Sequence, residues 1–77
     1  MKVHIKLIAT YREYLPPDCQ GKMTMDVDEG TTAVALLTSL GVPIDESVVL
    51  VDGRSPHPDD PLTEGVTIAS FSAIGGG

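Results

Sequence analysis

Apolar and polar residues alternate along two stretches near the start of the chain, and this alternation predicts two β-strands. Beginning with Val3, every second residue of 3–8 is apolar, and residues 22–27 repeat the pattern. A period of two is typical of a strand with one buried face. The stretch between them, residues 9–21, contains two prolines and predicts a loop. We therefore expect two antiparallel strands, joined by a wide hairpin, whose apolar faces share one core.

One amphipathic α-helix is predicted over residues 32–40. Its apolar residues follow the spacing i, i+3, i+4, i+7 and are Ala33, Leu36, Leu37 and Leu40. Thr31 or Thr32 can offer a hydroxyl oxygen to the free backbone amides of the first turn. Gly41 and Pro43 end the element, because glycine favours the C-cap and proline cannot continue a helix. One stripe of the helix should therefore face the sheet.

The second half of the chain predicts two more strands. Residues 48–51 form a short apolar run closed by the turn dipeptide Asp52-Gly53, which indicates a buried strand. Residues 54–65 hold three prolines and several acids and predict a loop, with Leu62 plugging the bottom of the core. Residues 66–71 are β-branched or aromatic at several positions and predict the last strand.

These elements predict a single α+β domain over residues 1–77 with the order ββαββ. The last strand can lie parallel to the first only through the long crossover between them. The result is a ubiquitin-like β-grasp roll, a mixed sheet of about four strands packed on one helix. We expect residues 1–73 to form the folded body and residues 74–77 to form a flexible C-terminal tail.

Composition narrows the function classes. Eleven acidic and five basic residues give a net charge of −6, which opposes binding to nucleic acid or to an anionic membrane and favours a basic protein partner. A single cysteine excludes an internal disulfide and suits a reducing compartment. The alternating N-terminus is neither a signal peptide nor a membrane span. We therefore expect a cytoplasmic protein whose partners are other proteins.

The end of the chain is the main candidate for chemistry. Gly75, Gly76 and Gly77 follow the last strand, and a run of residues without Cβ can enter a slot too narrow for side chains. Such a tail would deliver the α-carboxylate of Gly77. The alternative is a frayed end with no role. Phe71 and Ile74 flank the exit point and are the expected hydrophobic anchors for a partner, although strand alternation equally allows Phe71 a place in the core.

Two other groups of residues resemble sites but favour ordinary structural roles. Cys19 would need a base to act as a nucleophile, and only His4 or His57 could supply one through the tertiary fold. His57 lies near Asp59 and Asp60, yet no second His or Cys supports metal ligation there. We therefore expect no metal.

Several short segments together resemble the MoaD/ThiS family of sulfur carriers. They are Ala9-Thr10-Tyr11-Arg12-Glu13 after the first strand, Glu29-Gly30-Thr31-Thr32 before the helix, the turn Leu50-Val51-Asp52-Gly53-Arg54, Pro61-Leu62-Thr63-Glu64-Gly65, and the terminal glycines. Two positions depart from the family pattern, Asp52 for the usual Asn and Val66 for the usual Asp. The tail differs as well: MoaD-type proteins commonly end in Pro-Pro-Val-x-Gly-Gly, whereas this chain ends in Ser72-Ala73-Ile74-Gly75-Gly76-Gly77, and triple-glycine ends also occur among ThiS-type proteins.

The resemblance implies a protein that carries sulfur and catalyses nothing itself. An activating enzyme related to ubiquitin-activating enzymes would use ATP to adenylate Gly77, and a persulfide donor would convert it to a thiocarboxylate. A synthase subunit would accept the sulfur for molybdopterin or for the thiazole of thiamin, or the acceptor would be a transfer RNA base. The carrier itself would bind no cofactor. Two alternatives stay open: a ubiquitin-like modifier joined to lysines through Gly77, and an acidic interaction module with an inert tail.

Overall fold

Four strands and one α-helix form the regular structure of the described part of the chain. The computed structural model describes residues 1–57 and 59–74. Pro58 and the predicted glycine tail, residues 75–77, lie outside the described residues. The elements are β1 (Lys2–Leu7), β2 (Lys22–Asp26), α1 (Ala33–Ser39), β3 (Ser47–Val51) and β4 (Thr67–Ser72). The predicted order of strand, strand, helix, strand, strand is confirmed.

The four strands make one mixed sheet with the order β2-β1-β4-β3. β1 pairs antiparallel with β2 and parallel with β4, and β3 pairs antiparallel with β4. β1 and β4 can be parallel because the chain between them crosses over the sheet through α1, and they are central because β2 and β3 pair on their outer sides. The predicted parallel placement of the last strand beside the first is thus confirmed.

The core lies between one face of the sheet and α1. Val3, Ile5 and Leu7 of β1 are at most 2% exposed, which confirms the predicted buried side of the first strand. The other apolar core residues are Tyr11, Leu15, Ala33, Leu36, Leu37, Val42, Leu62, Val66 and Ile68. The buried Ser70 hydroxyl donates to the main-chain oxygen of Val48 at 3.0 Å, so its polar group is satisfied.

Both ends of α1 follow the sequence prediction. The Thr32 hydroxyl accepts a hydrogen bond from the Ala35 amide at 3.1 Å, which caps the first turn. Gly41 has a φ of +94°, and its amide donates to the Thr38 carbonyl at 3.0 Å. The Val42 amide reaches back to the Leu37 carbonyl at 3.1 Å. This pair of bonds is the Schellman arrangement, which satisfies the last carbonyls of the helix.

Two segments differ from their predictions. The predicted loop over residues 9–21 contains two 3-10 helices, Ala9–Tyr14 and Pro17–Cys19. The first contains no proline, and in the second Pro17 stands in the first turn, where its missing N–H leaves no helical hydrogen bond unmade. β3 was expected to be buried, but it lies at the edge of the sheet and all five of its residues are partly exposed. An unbroken apolar run does not distinguish a central strand from an edge strand with an apolar outer surface.

The turn before β2 depends on Gly21. Its φ is +79°, and a Cβ added there would collide with the main-chain oxygen of Leu7. Gly65 has a similar φ of +82°, but no described residue has an atom within 4 Å of its added Cβ.

Gly21→Ala should therefore destabilise the protein more than Gly65→Ala. Gly65→Ala adds only the strain of a positive φ, about 1 kcal/mol. Gly21→Ala adds a backbone collision as well, and its loss of unfolding free energy should be larger by roughly 2 kcal/mol. Urea denaturation of both variants measures the difference. Equal losses would show that the β1–β2 connection shifts freely to make room.

Candidate functional site

The outer face of the sheet, which is the face turned away from α1, carries an apolar patch. Ile68 and Ser70 of β4 are buried, so Ala69 and Phe71 point to the opposite face. Phe71 lies opposite Val48 and Ala69 lies opposite Leu50, and directly paired residues share a face. The patch consists of Ile8, Val48, Leu50, Ala69 and Phe71.

Ile8 completes the patch on the β1 side. It directly follows Leu7, whose side chain is buried and whose partner in β4 is Ser70, so Ile8 falls on the outer face. Its amide donates to the Ser70 carbonyl at 3.1 Å, which continues the pairing beyond β1. The side chain is 37% exposed. Strand pairing therefore brings Ile8, Phe71 and Val48 into one row across three strands.

The chain leaves the sheet at the same end as this row. The Ala73 amide donates to the Glu46 carbonyl at 2.7 Å, which ties the end of β4 to the residue before β3. Beyond it, Ile74 is 58% exposed. The Ile74 amide donates to the Ser72 hydroxyl at 3.2 Å, and this hydroxyl is also 3.0 Å from the Ile74 carbonyl. A partner on the patch would thus lie beside the start of the tail.

The structure places both predicted anchors but tests neither role. Phe71 is partly exposed on the outer face and belongs neither to the core nor to the apolar residues packed against it. Phe71 therefore does not pack in the core, the position that strand alternation equally allowed for it. Ile74 is exposed beside the end of β4. The other predicted site residues, Gly75, Gly76 and Gly77, lie outside the described residues.

Charge is distributed unevenly around the patch. Three of the five basic residues of the chain stand in β1 and β2 on the outer face: Lys2, Lys6 and Lys22. The four strands contain one carboxylate, Asp26, which pairs with Lys2 at 3.1 Å. The remaining acids lie in loops and 3-10 helices. The basic partner that the net charge predicts would fit those loops, whereas a partner on the outer face meets lysines.

The remaining candidates do not form a second site among residues 1–57 and 59–74. Cys19 is partly exposed, and one base considered for it, the His4 ring, is hydrogen-bonded to the Thr24 hydroxyl at 2.9 Å. In these ranges, no three His, Cys, Asp or Glu side chains come together as a metal site requires. None of the helices in these ranges is long and apolar enough to cross a bilayer.

Sequence reasoning identified Phe71 but missed its neighbours Ile8, Val48, Leu50 and Ala69. A signal was present in residues 48–51, which are all apolar although an edge strand needs only one apolar face. This apolar run can be recognised as part of a surface patch only when the strand order is known. Ile8 gave a similar signal, since it breaks the alternation of β1 by following one apolar residue with another.

The fold defines the class of the protein. A mixed four-stranded sheet with two parallel central strands, packed on one helix, is the ubiquitin-like β-grasp architecture, as predicted. The crystal structure of SAMP1 from Haloferax volcanii is similar to this chain with a TM-score of 0.75, covering 100% of each chain at 22% identity. At this level of identity the likeness establishes the fold.

The sequence establishes the family. The model of the ThiS family matches residues 5–77, and the chain belongs to that family. It is thus a member of a family of ubiquitin-like sulfur carriers and modifiers, small proteins that are generally non-catalytic and generally work with an activating enzyme. None of the curated proteins matches the chain significantly.

Proposed function

We propose that this protein is a sulfur carrier whose C-terminal Gly77 is adenylated and then converted to a thiocarboxylate. The observation that carries the proposal is the ThiS family match, which continues through the glycines to the last residue of the chain. Support also comes from the fold, because the chain leaves the sheet beside an apolar patch that can hold a partner. Sulfur carriage and tail delivery together explain why an apolar surface lies near a tail without side chains.

The proposed chemistry begins with a carboxylate, which is a poor electrophile because its charge is delocalised. Attack of the Gly77 carboxylate on the α-phosphate of ATP releases pyrophosphate and forms an acyl-adenylate, in which AMP is a leaving group. A persulfide sulfur displaces AMP. A thiol then reduces the resulting S–S bond, leaving the thiocarboxylate and a disulfide. ATP is bound by the activating enzyme, and the carrier itself needs no cofactor.

In this proposal the folded body contributes to the reaction by docking on the partner and holding the Gly77 carboxylate close to ATP. Docking of the patch converts the meeting of the Gly77 carboxylate with ATP from a bimolecular step into an effectively intramolecular one. Residues 75–77 are the segment delivered into the active site, and the 2.7 Å hydrogen bond from the Ala73 amide to the Glu46 carbonyl fixes the chain shortly before that segment. Successive partners, first the activating enzyme and then the sulfur acceptor, would use the same patch in turn.

The acceptor and the compartment are further parts of the proposal. We propose that the acceptor is a synthase subunit that builds sulfur into a cofactor, molybdopterin or the thiazole of thiamin. We place the reaction in the cytoplasm, where ATP and thiols are available. Incubating the thiocarboxylate form separately with each class of sulfur-free precursor and its synthase, and following product formation, assigns the pathway.

Phe71→Ala should weaken binding to the activating enzyme without unfolding the carrier. Loss of an aromatic anchor at an interface centre typically raises Kd by about 10- to 100-fold. Phe71 is outside the core, so the thermal midpoint should change little. Thr67→Ala is the matched control, since Thr67 is exposed on the same face of the same strand. Calorimetric titration of both variants gives the two Kd values.

The outcome distinguishes the patch from the remainder of the outer face. If the Kd for the activating enzyme were the same for Phe71→Ala as for Thr67→Ala, the patch would not be part of the interface. An Ile74→Ala variant tests the second anchor in the same titration. We expect its loss to appear as faster dissociation, because truncation of buried apolar contacts acts mainly on that rate.

A further inference from the structure

The outer edge of β2 is open, and its backbone geometry defines which groups are free. β2 pairs only with β1 among the strands of the described chain. Met1 and Val27 exchange two main-chain bonds, of 2.9 Å and 2.8 Å. Antiparallel pairs alternate between bonded and non-bonded, so Met23 and Met25 direct their backbone groups towards β1. The N–H and C=O groups of the alternate residues, which are Lys22, Thr24 and Asp26, face the open edge.

The sequence of this strand is complementary to itself when it is reversed. β2 reads Lys22-Met23-Thr24-Met25-Asp26. A second copy laid antiparallel about Thr24 puts Lys22 opposite Asp26 of the second copy, and Met23 opposite Met25 of the second copy. Opposite charges therefore face each other at the two ends, methionines face methionines, and Thr24 faces Thr24 in the centre, all of which are favourable cross-strand pairs.

This register also uses the free backbone groups. Lys22, Thr24 and Asp26 have the free backbone groups, and in the two-fold arrangement they face one another across the two copies. Lys22 pairs with Asp26 of the other copy at each end, and the two Thr24 residues pair in the centre. In an antiparallel ladder, each such pair exchanges two hydrogen bonds. A register shifted by one residue would pair free groups with groups already bonded to β1. The backbone therefore excludes shifts by an odd number of residues, and among the registers that it allows, the one centred on Thr24 pairs Lys22 with Asp26.

The charges on the outer face favour this pairing. Lys22 lies directly opposite Lys6 within the sheet, and like charges opposite each other are destabilising. Among the described residues, Lys22 has no carboxylate within ion-pair distance. Asp26 of the second copy would supply one, shared with the Lys2 of that copy, which lies 3.1 Å from this carboxylate. The same contact, repeated by symmetry, would place Lys22 of the second copy beside Asp26.

The inner face offers a matching apolar surface. Met23 and Met25 are partly exposed, and a groove of about 340 Å³ lies beside Met25, lined also by Ala35, Leu36 and Ser39 of the helix. Met23 of the second copy would lie opposite Met25 at the mouth of this groove. Methionine is flexible enough to fill an irregular gap of this kind.

We propose that the protein forms a two-fold symmetric dimer through the β2 edges, which joins two four-stranded sheets into one. The interface is small, so the dimer should be weak and reversible. It is independent of the proposed sulfur chemistry. β2 is separated from β4 by β1, so each copy keeps its patch and its C-terminal end available to partners.

Charge reversal tests the register. Lys22→Glu alone and Asp26→Lys alone each create two like-charge contacts in a homodimer, and each should weaken dimerisation by about tenfold or more. An equimolar mixture of the two variants restores opposite charges at both contacts. Sedimentation equilibrium should therefore find both variants monomeric at a concentration where the wild type and the mixture are dimeric. Circular dichroism confirms that each variant is folded.

Amide hydrogen exchange of the wild type tests the same proposal without substitution. The amides of Lys22, Thr24 and Asp26 should exchange about tenfold more slowly as protein concentration rises through the dimer range. Those of Met23 and Met25, already bonded within the sheet, are the internal control. A wild type that stays monomeric up to ~1 mM, or free-edge amides whose exchange is independent of concentration, would overturn the proposal.

Discussion

Deleting Gly76 and Gly77 should abolish thiocarboxylate formation and leave the folded domain intact. The deletion moves the terminal carboxylate back by two residues, about 7 Å of extended chain. A misplacement of ~1 Å can already cost about 100-fold in rate, so no product should form. Glycines carry no side chains to bury, and their loss should change the unfolding free energy little. Intact mass and a thermal melt measure the two effects.

A chain with one additional glycine after Gly77 is the matched control for tail length. It keeps every residue of the 77-residue sequence but displaces the carboxylate forwards, so it should also fail to form product. A deletion variant whose thermal midpoint drops by several degrees has lost roughly 1 kcal/mol. That drop would show that the tail packs on the body and would contradict its role as a delivered segment.

Leu37→Ala should cause a large loss of stability. Leu37 is 0% exposed in the core between α1 and the sheet. Truncating a buried leucine removes apolar contacts and leaves a cavity, at a cost of about 2 to 5 kcal/mol. A domain of this size is stabilised by only about 4 to 12 kcal/mol. Urea denaturation should therefore show a sharply lowered midpoint or an unfolded chain.

Leu50→Ala is the matched control because the same side chain is removed from the outer face. Leu50 is partly exposed in β3 and lies in the patch. Its truncation should cost less stability than Leu37→Ala by roughly 2 kcal/mol or more, while weakening the activating-enzyme complex. A Leu37→Ala loss under about 0.5 kcal/mol, typical of surface sites, would contradict the assigned helix face.

The parts of the fold that the sequence predicts well are those governed by local patterns. Alternation identified β1, and the helical spacing with Thr32 and Gly41 at its ends identified α1. These signals come from residues close together in the chain, where propensity and capping act directly. The parallel β1–β4 pair was predictable for a different reason, since few topologies accommodate this order of elements.

The patch was less predictable because pairing over long sequence distances creates it. Val48 and Phe71 are neighbours only through the β3–β4 register, and Ile8 joins them only through β1. The position of β3 at the edge also decided whether its apolar run is core or surface. No local pattern contains that information. Of the candidate site, the sequence therefore singled out Phe71 and Ile74, whose roles stay predictions, but not the apolar surface around them.

The distribution of charge over the surface could not be predicted from the sequence either. The chain has a net charge of −6, yet its outer face carries lysines because they occupy alternate positions in β1 and β2. Lys6 and Lys22 become directly opposite neighbours only when the two strands pair. Net charge predicts long-range steering, whereas the partner of one face depends on the local arrangement.

The measurement that tests the central claim most directly is the intact mass of the full chain after reaction. The protein is incubated with an activating enzyme from the same organism, ATP and a persulfide donor, and a sample without ATP is the control. The account predicts an ATP-dependent gain equal to the replacement of one oxygen by one sulfur, located on Gly77 by fragmentation. An unchanged mass, or larger adducts that join the chain to lysines of other proteins without any thiocarboxylate, would contradict it.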